Sequence, residues 1–139
     1  MEIIDATGCV AGRLASVVAK DLLKGKEISV VNAEKAIITG DRGFILGAFK
    51  EKVARGDPYH GPFFPKAADR ILKRIIRGMI PYKKTKGDDA MKRLKVYVSV
   101  PEELKGKEFK KILSAAIPQE RKCITLKEIS KGVGGKVYV

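Results

Sequence analysis

The apolar positions of this chain change period as they run. From Glu2 to Asp5 they form a short extended run. Thr7 and Gly8 then lead into a stretch where Val10, Leu14, Val17, Val18 and Leu22 recur at helical spacing, a sequence of strand, turn and helix. Gly25 ends that helix, and Ile28, Val30 and Val31 make a second strand closed by the turn-prone Asn32. A second unit of the same kind follows. Ala36, Ile37 and Ile38 lead through Thr39, Gly40 and Asp41 to a helix face of Phe44, Ile45, Ala48, Phe49 and Val53, ending at Gly56. Strand and helix alternating at this spacing predict an α/β fold, a parallel sheet covered by helices.

The stretch GDPYHGPFFP, residues 56–65, has three prolines and two glycines and is expected to be an ordered, extended crossing whose aromatic side chains could plug the core or stack on RNA, with the core favoured for Phe63 and Phe64. A long helix is expected from Ala67 to Met79, then a proline-bounded loop and a short helical patch near Asp88 to Arg93. KVYVSV, Lys95 to Val100, reads as the clearest strand, closed by Pro101. Beyond it, Leu104, Phe109, Ile112 and Leu113 at helical spacing and the final LKEISKGVGG suggest packing helices with a frayed tail. The 139 residues, 45% of them hydrophobic, suffice for one domain with a core, so residues 1–139 are read as a single domain with a loosely packed extension from about residue 102.

Charge narrows the function. Twenty-nine Lys and Arg against sixteen acids give a net charge of +13, which favours a polyanionic partner. The start, MEIIDATG, suggests neither a signal nor a transit peptide, and no run approaches transmembrane length. Cys9 and Cys123, without CxxC or Cys/His spacing, are expected to be reduced, buried and structural. His60 is the only histidine, so the inventory for hydrolytic or metal chemistry is poor, and neither a cofactor nor a small-molecule substrate is expected.

The positive charge is not spread evenly. On a helical wheel, Ile71, Leu72, Ile75, Ile76 and Met79 fall on one side of the long helix and Lys66, Arg70, Lys73, Arg74 and Arg77 on the other, with only Asp69 among them. Like charges at i,i+4 repel by a few tenths of a kcal/mol each unless something compensates. From Lys66 to Lys95, eleven cations face three acids, a local balance of +8. Next come Gly78, Met79, Pro81, Tyr82, Lys83, Lys84 and Lys86, where glycine permits close backbone approach, proline stiffens the exit, and Tyr82 offers a ring to an unpaired base. Phosphate accounts for such a surface, and RNA is the expected ligand.

Four motifs carry a resemblance. DATGxVAGRLAS at 5–16, VVNAEKAIITG at 30–40, RGMIPYKKTKG at 77–87 and RLKVYVSVP at 93–101 together resemble the thirteenth universal large-subunit ribosomal protein family. The pattern of Gly61, Pro62 and Pro65 is similar to its archaeal branch. The resemblance implies a three-layer α/β/α domain around a mostly parallel four-stranded sheet. It also implies a cytoplasmic place in the ribosome, bound to large-subunit ribosomal RNA among neighbouring large-subunit ribosomal proteins. Arg77, Gly78, Met79 and Pro81 match its most characteristic motif, beside Lys83, Lys84 and Lys86, and Arg13 matches the arginine of its first helix. Arg93, which opens the fourth motif, completes the expected RNA-binding set. Ser99 and Ile80 depart from the pattern, where glycine and leucine are common.

Two rivals remain. Gly8 and Gly12 lie between a strand and a helix, as in nucleotide-binding enzymes, but TGCVAGRLAS has neither the P-loop spacing nor GxGxxG, which favours turn and packing duty. A membrane-surface helix would need its apolar side exposed, and here that side is needed to cover the sheet, so no membrane partner is expected.

Overall fold

The computed structural model describes residues 1–117 and 121–136. Strands β1 (Glu2–Asp5), β2 (Ile28–Val31), β4 (Leu94–Val96) and β5 (Lys110–Lys111) form a four-stranded sheet in the order β4-β2-β1-β5, with every pairing parallel. In this register Ile4, Ile28, Val30 and Leu94 point to one face and Ile3 and Val31 to the other. The first face buries against α1 (Ala11–Leu23), α3 (Ala68–Gly78) and α4 (Thr85–Lys92). α1 presents Leu14, Ala15, Val18 and Leu22, α3 presents Ile71, Leu72 and Ile76, and all are buried. The second face is covered more thinly, by Leu104 of the 3₁₀ turn Glu102–Leu104 with Tyr97 and Val100. The result is the expected three-layer α/β arrangement with unequal covers. From the chain's end, Ile112, Ala115, Ile124, Leu126, Ile129 and Val133 join the first core. Within LKEISKGVGG, expected to be a packing helix with a frayed tail, Leu126–Gly132 form helix α5 with Leu126 and Ile129 buried, and Val133 beyond it is also in the core, while residues 137–139 lie outside the described residues.

Several expectations need correction. The strand at Ile37 and Ile38, β3 (Ile37–Thr39), is not in the parallel sheet. It pairs antiparallel with β6 (Cys123–Thr125) in a separate ribbon. Only residues 32–36 separate it from β2, whereas a parallel crossover within one sheet needs about a dozen residues or more. Strand alternation then places Ile124 inside and Cys123 outside, so Cys123 is exposed, while Cys9 is buried as expected. The strand expected over Lys95–Val100 is β4, Leu94–Val96, after which the chain follows β2 irregularly through the Tyr97 N–H donating to the Val30 carbonyl at 2.8 Å. The helix expected through Leu104 to Leu113 does not form. Edge strand β5 and a 3₁₀ turn at Leu113–Ala115 replace it, leaving Leu113 exposed and Ile112 buried. On α2 (Arg42–Ala54) the buried phase is Ile45 and Phe49, and Phe44, about 100° away, faces solvent. Phe63 is exposed, not core, and Phe64 is half-buried. Met79 is also exposed. The apolar stripe of α3 continues to Ile80 instead.

Candidate RNA interface

α3 is held on the core by its apolar face, which turns Arg70, Lys73 and Arg74 outward along its length, with Lys66 ahead of it and Arg77 in its last turn. These five cations and Lys136 line one open groove of about 860 Å³, whose walls include Phe63, Phe64 and Pro65 on one side and Gly134 and Gly135 on the other. Asp69 is the only carboxylate among the described residues of its lining. Gly135 brings the C-terminal segment here. Its N–H donates to the Ser130 carbonyl at 2.8 Å, and a Cβ on it would collide with the Lys66 carbonyl, so the segment passes directly over the entry to α3.

Past α3 the chain makes a tight corner. The Met79 and Ile80 amides donate to the Ile76 and Arg77 carbonyls, Tyr82 donates to Ile80 at 2.7 Å, and Lys84 donates to Pro81 at 3.0 Å. Buried Ile80 anchors the corner, and α4 begins at Thr85, earlier than expected, so the basic loop is shorter than its sequence suggests. A Cβ on Gly87 would strike the Pro81 carbonyl, and this close approach lets the two helices meet there. Pro81, Lys83, Lys84 and Lys86 are consequently held at an exposed apex. The Arg77 guanidinium lies over the Tyr82 ring, 4.2 Å from its centroid, a cation–π stack that fixes both groups at the junction of helix and corner.

The ion pairs among the described residues all lie outside this surface, although cations elsewhere, such as Arg13, Lys20, Lys35 and Lys131, also lack one. Lys24, Lys26, Arg42, Arg55, Lys92, Lys105, Lys110 and Lys127 each have a carboxylate within 4.0 Å. Asp88 and Asp89 are both engaged by Lys92. Among the described residues, no carboxylate makes an ion pair with Lys66, Arg70, Lys73, Arg74, Arg77, Lys83, Lys84 or Lys86. Arg70 with Arg74 and Lys73 with Arg77 are repelling i,i+4 pairs that the fold leaves uncompensated.

The other expected residues lie apart. Arg13 is exposed on α1 and is not in the groove lining. Arg93, at the end of α4, donates from Nη2 to the Leu22 carbonyl at 3.0 Å, tying α4 to the last turn of α1. Gly78 is exposed, and a Cβ there would meet nothing. At the turn after β1, the Gly8, Cys9 and Val10 amides donate to the Lys35, Ala6 and Ala115 carbonyls, so it lacks the row of free N–H groups that a phosphate loop presents. His60 forms a local turn, with Nδ1 2.9 Å from Asp57 Oδ2. No three of His, Cys, Asp and Glu gather as a metal site among the described residues, and no described helix is long and apolar enough to cross a membrane.

Of the groove residues, sequence reasoning favours the core over RNA stacking for Phe63 and Phe64, which holds in part for Phe64 and not for Phe63, and it misses Lys136. For the phenylalanines a signal existed: neighbouring side chains in an extended segment point to opposite sides, so two consecutive phenylalanines cannot both face one core. Lys136 carried none, because its proximity to α3 depends on how the C-terminal segment folds back.

Residues 1–103 match the family model described as Ribosomal protein L13. Relatives named large ribosomal subunit protein uL13 include that of Methanosarcina barkeri, 53% identical over 98% of this chain and 99% of its own length. That of Archaeoglobus fulgidus is 49% identical over 95% of this chain and 86% of its own length, and that of Thermoplasma volcanium is 44% identical over 97% and 99%. The groove and corner thus sit in an archaeal-type sequence frame, and the chain belongs to the ribosomal protein L13 family.

Proposed function

We propose that this chain is a structural constituent of the large ribosomal subunit in the cytoplasm. In this reading it binds large-subunit ribosomal RNA through the outer face of α3 and the corner that follows, among neighbouring large-subunit ribosomal proteins, and supports subunit assembly. The observation that carries the reading is clustering: Lys66, Arg70, Lys73, Arg74 and Arg77 line one groove with Asp69 as the one carboxylate among its described lining residues, and none of the five makes an ion pair among the described residues. Phosphate oxygens supply the missing charge. Arginine meets them with a planar fork and lysine with a point charge, while Tyr82, held under Arg77, gives the corner a flat surface. Nothing in the groove reads base edges by a fixed pattern, so recognition follows RNA shape and phosphate placement. Arg13, exposed on α1 away from the groove, is a separate contact in this reading, and Arg93 contributes by holding α4 in place.

The test is a variant with Arg74, Arg77, Lys83 and Lys84 changed to alanine. All four are at the surface or half-exposed and make no ion pair among the described residues, so its circular dichroism and melting temperature stay close to wild type. In cells it is expected to be missing from large subunits on a sucrose gradient. Normal co-sedimentation with the subunit would remove the site assignment.

A further inference from the structure

Phe63 stands in the lining of the basic groove with 68% of its surface exposed, while Phe64 turns inward to pack edge-on against Phe49 with ring centroids 5.9 Å apart. An exposed phenylalanine on a protein surface is ordinarily free to move, but this ring is held. A Cβ built on Gly61 would lie 3.1 Å from its Cδ2 and Cε2, so the ring rests against the Gly61 backbone. The Phe63 carbonyl accepts from Arg74 Nη2 at 3.4 Å, and Pro62 and Pro65 restrict the chain on either side. The Arg74 guanidinium also lies 5.9 Å from the Phe64 ring centroid, so one arginine links the phenylalanine segment to α3. The product is a flat apolar surface, fixed in orientation, beside Lys66, Arg70 and Lys73.

We propose that Phe63 is a stacking platform for an unpaired RNA base, whose flanking phosphates lie on Arg70, Lys73 and Arg74. The inference rests on the RNA-binding reading above and names the kind of RNA that the groove takes: a bulged, looped or single-stranded nucleotide. Every base has a π face, so a lone aromatic ring among cations is suited to an unstacked nucleotide of any sequence, and a fully paired duplex offers it no open face. An apolar protein partner suits the groove poorly, because covering Phe63 would also desolvate the neighbouring unpaired cations.

The experiment measures affinity of the full chain for two probes of equal length, single-stranded oligouridylate and a blunt RNA duplex. Phe63→Leu is expected to weaken oligouridylate binding about tenfold, the scale of one base–aromatic stack, and to leave duplex binding and the melting temperature unchanged. Phe63→Trp restores the single-strand affinity. Ultraviolet irradiation with a large-subunit ribosomal RNA transcript yields a nucleotide adduct on the Phe63 peptide. If Phe63→Leu binds oligouridylate like wild type, or weakens both probes equally, the platform is overturned. Replacing Arg70, Lys73 and Arg74 with alanine separates the two readings. That variant loses affinity for both probes if the groove binds RNA, whatever Phe63 does, and retention of both affinities overturns the RNA-binding reading together with the platform.

Discussion

Gly78 and Gly87 close the two halves of the same basic segment and are glycine for different reasons. At Gly87 the demand is steric, since any Cβ meets the Pro81 carbonyl across the corner. Gly87→Ala is therefore expected to destabilise the fold by roughly 1–3 kcal/mol, the range for overpacking at a rigid site, read as a lower denaturant midpoint with an unchanged slope. At Gly78 the space around a Cβ is empty, and alanine is the better helix former by up to about 1 kcal/mol. Gly78→Ala should hold or raise the melting temperature while weakening binding to a large-subunit ribosomal RNA transcript several-fold, because the bare backbone permits close approach of the ligand. Equal affinity would show that the glycine is not a contact. Sequence alone could place both residues in a basic motif but could not separate these roles, since each depends on what lies across from the missing side chain. The same limit explains Met79 and Ile80: both are apolar, and the tight turn after α3 decides that Ile80 is buried and Met79 exposed.

Local periodicity made α1, α3 and the strands around them readable, because each has a long apolar stripe that only one conformation can bury. β3 was readable as a strand but not in its pairing, and β5 and β6 were not readable at all. They are two or three residues long, and their partners are remote in sequence, so their placement follows from topology and not from pattern. The turn after β2 shows how one element controls another. Asn32 has φ +56° and donates from Nδ2 to Asp5 Oδ1 at 3.0 Å, joining the ends of β1 and β2 and setting the direction in which β3 departs. Burial pushes the Asp5 carboxyl up, but hydrogen bonds from Asn32 and from the Thr7 hydroxyl and amide outweigh it, and the pKa lies below the ordinary carboxylate value. A depressed folded pKa contributes stability above the unfolded value, and this contribution is lost as pH falls through the folded one. Asn32→Gly keeps the left-handed backbone and removes the amide. At neutral pH it is expected to cost about 1.5 kcal/mol, typical of a hydrogen bond to a charged group. The deficit should shrink as the medium is acidified through and below the carboxylate range. A deficit that stays constant with pH would mean that the Asn32–Asp5 bond does not act through ionised Asp5.

At the scale of the whole molecule, a net charge of +13 could bind RNA in either of two ways, as a diffuse field or as fixed contacts. The sequence supplied the charge and its clustering on one helix face. It could not show every cation that an acid engages, because some ion pairs join residues such as Arg42 and Glu128 that are far apart along the chain. The two mechanisms separate in salt. Each phosphate neutralised by a fixed contact contributes about 0.7–0.9 to the slope of log affinity against log salt, whereas net charge acting through solution is screened over a Debye length of about 10 Å at 0.1 M. Two variants with the same change in net charge therefore give different slopes. Removing Arg74, Arg77, Lys83 and Lys84 should flatten the slope by about 3. Removing Lys24, Arg42, Arg55 and Lys105, each already paired with a carboxylate, should change it by less than about 1. Neither set should unfold the protein, since exposed ion pairs contribute only about 0–1 kcal/mol each. Titrations of both variants against the same ribosomal RNA transcript provide the comparison. Equal slopes would assign binding to the net charge of the molecule, and unequal slopes in the expected order would assign it to the α3 face and its corner.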